Sequence, residues 1–391
     1  MNRLILVGNG FDLAKGLESG YQHFIDWMWK NIIDKVINIR PNSYEDDFVI
    51  IDNYSVKPNA ETTYDYKTLK EFLQRFNGSI KFKNEFFGTI SKQASLNWVD
   101  IETAYFNALK NILQDEKAGK VQKQDIKTLN TNFEQIKHKL QEYLTNQLIT
   151  FSLPEFYSTN LSENFNLLDF TRKGVEEFEK ECQDPNDSSQ ISRILEIKNK
   201  MKLGDYSNCD TYIFPKEIIF LNFNYTDLIP QLIKIIKTND NPSDKWQKSK
   251  IEHIYIHGEL NKTENPIIFG YGDENDEIQS EIEKRGGDYL NNIKTINYLK
   301  TANYKKVLSF LDSANYQVFI MGHSCGLSDK TLLKTIFEHP NCISIRPFYY
   351  IDKKGNNNYD DIVKNIYRTF TDKALMRDKV VNQEYCSELK V

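Results

Sequence analysis

The chain opens on RLILVG, residues 3–8, in which four apolar residues after Arg3 run straight into a glycine. A short run apolar at every position has both faces covered, the pattern of a strand inside a parallel sheet. ESGYQHFIDWMWKNIID, residues 18–34, follows with helical spacing, so the first unit reads strand, glycine turn, helix. Residues 40–95 are polar and aromatic with little periodicity and read as an insertion. NWVDIETAYFNALKNIL, residues 97–113, then sets Ile101, Tyr105, Ala108 and Ile112 on one helical face. Over residues 123–150, Leu129, Phe133, Ile136, Leu140, Leu144 and Leu148 recur every three or four positions, a second helix. A charged stretch from residue 170 to about 208, with a turn cluster at 185–189, reads as further helical insertion or a lid.

The period changes at KEIIFLNFNYTDLIPQLIKII, residues 216–236, a buried strand entering a helix. IEHIYIHGEL (251–260) and NPIIFGYGD (265–273) read as two further strands, and two polar-aromatic helices fill about 286–312. YQVFIMGHSCGLSDKTLLKTIFEHPNCISIRPFYYI (316–351) reads as strand, turn, helix, strand, a βαβ unit. The expected fold is α/β: a Rossmann-like parallel sheet with helices on both faces, drawn from residues 1–95 and 211–391, with a helical insertion at 96–210. Such sheets bind ligands beyond the carboxyl ends of their strands. The unusual polar residues collect there: Gly8 to Asp12, Asn222 to Thr226, His257 with Gly258, Gly270 to Asp273, and Gly322 to Ser324.

Composition narrows the class. The 391 residues are 40% hydrophobic, 27% charged and 13% aromatic, an ordinary soluble mixture with a ring-rich core. A net charge of −5 argues against a nucleic-acid binder and leaves at most a local basic groove. The five cysteines, Cys182, Cys209, Cys325, Cys342 and Cys386, include no C-x-x-C pair, which points to a reducing compartment without structural zinc. No signal peptide and no long apolar window is present, so a cytoplasmic, membrane-free protein is expected.

Four stretches can carry chemistry. Amides at a glycine turn before a helix attract anions, yet G-x-G at Gly8 and Gly10 is equally a tight turn without ligand. In FLNFNYTD, Thr226 and Asp227 suit a helix cap, whereas Asn222 and Asn224 inside an apolar strand need another reason, because buried amides require partners. His253 and His257 share one face if the strand continues through both, and His257, before Gly258, is the better-placed general base. No third ligand accompanies them, so no metal is expected. Asp100 and Glu102 enter a helix, where acids ordinarily complement the dipole. GHSCG formally matches a nucleophile elbow around Ser324, but only His339 follows it, so Ser324 reads better as a ribose or phosphate ligand.

Taken together, LVGNGFDLAKGL, NWVDIE, FLNFNYT, HIYIHG and GHSCGLSD, in that order, resemble the AbiH family of bacterial abortive-infection proteins. The resemblance implies antiphage defence, with a phage or host protein as trigger. Gly8, Gly10 and Gly16 followed by Leu17 are also similar to the sirtuin-like nucleotide loop, G-x-G-x5-G-[IL]. That similarity implies an NAD site: Gly8 and Gly10 at the pyrophosphate, Gly322 and Ser324 at the ribose, and Asn9, Phe11, Asp12, Gly16, Asn222, Thr226 and Asp329 as further cofactor-binding positions. Asn224 would position ribose or water and His257 would act as base, with Asp100 or Glu102 as accessory acids. Thr226 stands where the sirtuin-like motif has an acid, and the zinc-module cysteines are absent, which favours a hydrolase over a deacylase. The leading expectation is an effector that cleaves the nicotinamide–ribose bond. A non-catalytic nucleotide sensor or scaffold, and a metal-dependent nuclease using Asp12, Asp100 and Glu102, remain open, as does self-association. Asp12 has no evident role, since a pyrophosphate would repel it.

Overall fold

The computed structural model describes residues 1–38, 43–52, 56, 58–92, 98–119, 124–153, 160–182, 188–238, 245–272 and 278–390, without the side chains of 98–100, 182, 245 and 247. The contacts form two units: Met1–Leu17, Phe151–Ile268 and Thr295–Val391 in one, Glu18–Thr150 and Phe269–Lys294 in the other. The first unit thus takes residues 160–210 with the two chain ends, and the second takes residues 18–92 with the helices that follow them.

The first unit is built on strands β1 (Asn2–Val7), β5 (Glu217–Asn222), β6 (Lys250–Tyr255), β7 (Tyr316–Met321) and β8 (Cys342–Phe348). They form one sheet in the order β6-β5-β1-β7-β8, every pairing parallel. Counted in chain order this is 3-2-1-4-5, the doubly wound arrangement, whose direction reverses between β1 and β7. Both central strands are buried at every position, because each face of the sheet carries its own core. Leu4, Leu6, Val318 and Ile320 point into one, beside Val307 and Phe310 of helix Asn303–Ser313 and Leu332 and Ile336 of helix Lys330–Phe337. Ile5, Val7, Phe319 and Met321 point into the other, beside Ile229, Leu232 and Ile236 of helix Leu228–Thr238. The alternation is what a period of two imposes on a sheet covered on both sides.

The second unit holds an antiparallel sheet, β2 (Ser43–Glu45), β3 (Val49–Asp52) and β4 (Ser79–Phe82), in the order β2-β3-β4. Around it lie helices Tyr21–Asn38, Tyr66–Arg75, Glu85–Lys92, Trp98–Lys117 and Ile126–Thr150. Its core is aromatic: Trp29 stacks on Phe87 at 5.1 Å, and Tyr105 meets Phe133 at 4.3 Å. This small sheet is absent from the hydropathy pattern, since strands of three or four residues are too short to show alternation.

Two further expectations are corrected. NPIIFGYGD joins neither sheet; Tyr271 makes only an isolated bridge to Ile293, and Asp273 lies outside the described residues. Residues 286–302 form helices of only three or four residues, Gly287–Leu290, Lys294–Asn297 and Tyr298–Lys300, leaving Asn303–Ser313 as the long helix of that stretch. Residues 185–187 of the expected turn cluster also lie outside the described residues. Among the described residues, no helix is long and apolar enough to cross a membrane.

Candidate functional site

At the reversal point of the sheet, the turn after β1 lies directly on the turn after β7. Gly8 N donates to Met321 O at 3.1 Å and Gly10 N donates to Gly322 O at 2.9 Å. A Cβ at residue 8 would fall 2.5 Å from His323 Cα, and one at residue 322 would fall 2.1 Å from Phe11 N. Gly322 also has φ +71, in the left-handed region. Loop-on-loop packing therefore accounts for these glycines, and the amides that the sirtuin-like resemblance gives to a pyrophosphate are engaged by the β7 turn. The helix that follows runs only from Asn9 to Ala14, with Asn9 half-buried and Phe11 inside the core. Gly16 is exposed, has φ +85, and ends that helix, with Gly16 N bonded to Leu13 O and Leu17 N to Asp12 O.

Asp12, the residue without a role in the sequence, turns inward from this helix and is 1% exposed. Its carboxylate accepts from Asn224 Nδ2 at 2.8 Å and from Thr226 Oγ1 at 2.6 Å. Burial pushes its pKa up to about 7, against the two hydrogen bonds, which pull it down, and with Asp227 adding to the rise. Thr226 thus serves Asp12. Asn224 Nδ2 also donates to Gly8 O at 3.0 Å, so both amide hydrogens are engaged and Oδ1 is what the side chain can offer a ligand. Asn222 shapes the turn itself: its Oδ1 accepts from Asn224 N at 3.0 Å and its Nδ2 donates to Thr226 O at 3.4 Å.

β6 ends at Tyr255, so His253 and His257 do not share a strand face: His253 is exposed and His257 buried. His257 Nε2 lies 3.0 Å from Asp329 Oδ1 and 3.2 Å from the hydroxyl of Tyr298. Asp329 Oδ2 faces His323 Nε2 at 3.5 Å, and His323 Nδ1 accepts from the backbone N–H of Cys325 at 3.0 Å. Phe223 packs against both imidazoles, 5.0 Å from His257 and 4.1 Å from His323. These groups are 7% exposed or less. The structure thus places Asp329 on the histidines, while Ser324 is exposed with its carbonyl accepting from Asn365 Nδ2. His339 is paired with Asp312, which gives Ser324 no triad.

His323, Tyr298 and Phe223 were not singled out in the sequence. For His323 a signal existed, since it lies inside GHSCG beside two glycines; Tyr298 comes from a segment with no motif. Of the accessory acids, Glu102 belongs to the second unit, where it accepts from Gly270 N at 3.2 Å and pairs with the buried Lys294 at 2.9 Å. The side chain of Asp100 lies outside the described residues. Among the described residues, no three His, Cys, Asp or Glu side chains are grouped to hold a metal ion.

Chemically, the edge of the sheet carries two carboxylate-centred clusters. One holds an amide whose acceptor oxygen is presented, the other holds a histidine suited to proton transfer. Compared with known proteins, residues 4–351 match the profile of a family described as "Bacteriophage abortive infection AbiH". No curated protein matches the chain.

Proposed function

The chain belongs to the AbiH family of bacteriophage abortive-infection proteins, and from that premise we propose that it is a defence effector which binds NAD or a related nucleotide and hydrolyses the nicotinamide–ribose bond. The reading is carried by the placement of Asn224 and His257 just beyond the ends of neighbouring strands β5 and β6, each held by a buried carboxylate. Asn224 Oδ1 accepts from a ribose hydroxyl or the attacking water, and His257 takes the proton from that water. The new C–O bond forms at the anomeric carbon as the C–N bond breaks, and its electron pair neutralises the departing nicotinamide ring. Positive charge developing on the ribose is tolerated beside the oxygen of Asn224. With the amides of Gly8 and Gly10 engaged, the exposed Ser324, on the turn after β7, is the residue of these two turns that meets the ribose.

The test is nicotinamide release from NAD by purified protein, with Asn224→Ala and His257→Ala expected to lower it at least about 100-fold each. Undiminished release by the double variant removes the assignment. The mutual hydrogen bonding of the buried polar groups supports a second reading, a sensor that binds nucleotide without turnover. Calorimetric binding of NAD by protein that releases no nicotinamide would select it.

A further inference from the structure

The histidine cluster sets one carboxylate, Asp329, between two imidazoles, and a backbone amide fixes the tautomer of one of them. A backbone N–H can only donate, so His323 Nδ1, 3.0 Å from Cys325 N, must accept. The proton of His323 then resides on Nε2, which faces Asp329 Oδ2 at 3.5 Å. An ionised Asp329 only accepts, so its Oδ1, 3.0 Å from His257 Nε2, requires a proton on that nitrogen as well. We propose that Asp329 fixes the tautomer of His257 with its proton on Nε2 and its lone pair on Nδ1, while the backbone amide of Cys325 fixes the same tautomer on His323, the second imidazole against that carboxylate. His323 and Asp329 are therefore positioning residues, and Cys325 Sγ plays no part. Cys325 delivers its amide from a left-handed backbone, φ +54, which a non-glycine residue adopts only where its surroundings hold it. Tyr298, at 3.2 Å from the same Nε2, adds an oxygen that accepts from that proton, in keeping with the same tautomer. Tyr298 and the buried thiol of Cys325 are titratable groups that face these three residues.

The proposal rests on reading His257 as the base, but its geometry is testable without any turnover. Long-range imidazole 1H–15N spectra of the labelled full-length protein report the tautomer of each histidine, with His257 assigned by comparison with His257→Gln. In the wild type at neutral pH, His257 and His323 are both expected to carry the proton on Nε2. Asp329→Asn presents one oxygen and one NH2 to the two histidines. His323 cannot reverse against Cys325 N–H, so the NH2 turns to His257 and drives its proton to Nδ1. In the same variant, nicotinamide release is expected to lose at least about 100-fold in kcat with KM little changed, as when an orienting carboxylate is made an amide. A wild-type His257 protonated on Nδ1, or a tautomer unmoved by folded Asp329→Asn, overturns the proposal. If Asp329→Asn does not fold, the wild-type spectrum alone decides. Absence of nicotinamide release with the expected tautomers would instead refute the catalytic reading and leave the tautomer assignment standing.

Discussion

Asp12 is the residue whose meaning changed most between sequence and structure. Read against a phosphate it is a repulsive charge; buried against Asn224 and Thr226 it is the group that holds the turn after β5. Its folded pKa, about 7, lies above the ordinary 3.8, so the folded state binds its proton more tightly than the unfolded state does. The contribution to stability is therefore full below about pH 4 and lost as pH rises through 7, up to about 4 kcal/mol. Asp12→Asn removes that titration, and denaturant unfolding of both proteins at pH 5 and pH 8 should show a flatter pH dependence in the variant. Equal slopes would mean that Asp12 ionises as freely when folded as when unfolded. Nothing in the local sequence could disclose this, because Asn224 stands 212 positions away. Asn224 itself was legible: an amide inside an apolar run demands partners wherever the chain finds them.

Among the elements, the long buried strands and the amphipathic helices were legible, and the short antiparallel strands were not, for want of length. The glycine turn was half legible. Its need for glycine shows in the sequence, but what crowds it is the turn after β7, and adjacency across more than 300 residues leaves no local trace. The two kinds of glycine predict different costs. Gly322→Ala adds an atom 2.1 Å from Phe11 N at a left-handed position and should destabilise by about 2–5 kcal/mol. Gly16→Ala meets no neighbour and should cost about 1–2 kcal/mol, from its backbone conformation alone. Equal shifts in the unfolding midpoint would contradict the packing account. In the second unit, Lys294→Met leaves the Glu102 carboxylate buried without its cation, about 3–5 kcal/mol. Adding Glu102→Gln should recover much of that loss, and a double variant as unstable as the single one would show that the pair is not the cause.

For the molecule as a whole, family membership connects the fold to phage defence. If that defence runs through hydrolysis at the sheet edge, Asn224→Ala with His257→Ala should abolish both growth arrest and protection in a plaque assay while leaving protein levels unchanged. Full protection by the double variant would place the defence activity elsewhere in the chain. The fold class follows from the apolar strands themselves, whereas the assembled site depends on which strands end side by side, a property of the complete sheet.

That dependence gives the protein a schedule. β1 is made first, yet its neighbours in the sheet begin at Glu217 and Tyr316. At about 5–20 residues per second, the ribosome reaches β7 roughly 15–60 s after finishing β1. Until then Gly8 has no turn to rest on, and His257 has no Asp329. A growing or truncated chain that stops short of β7 therefore lacks the contacts that assemble the sheet edge. The sheet edge on which the proposed hydrolysis depends is complete only when the last strands emerge.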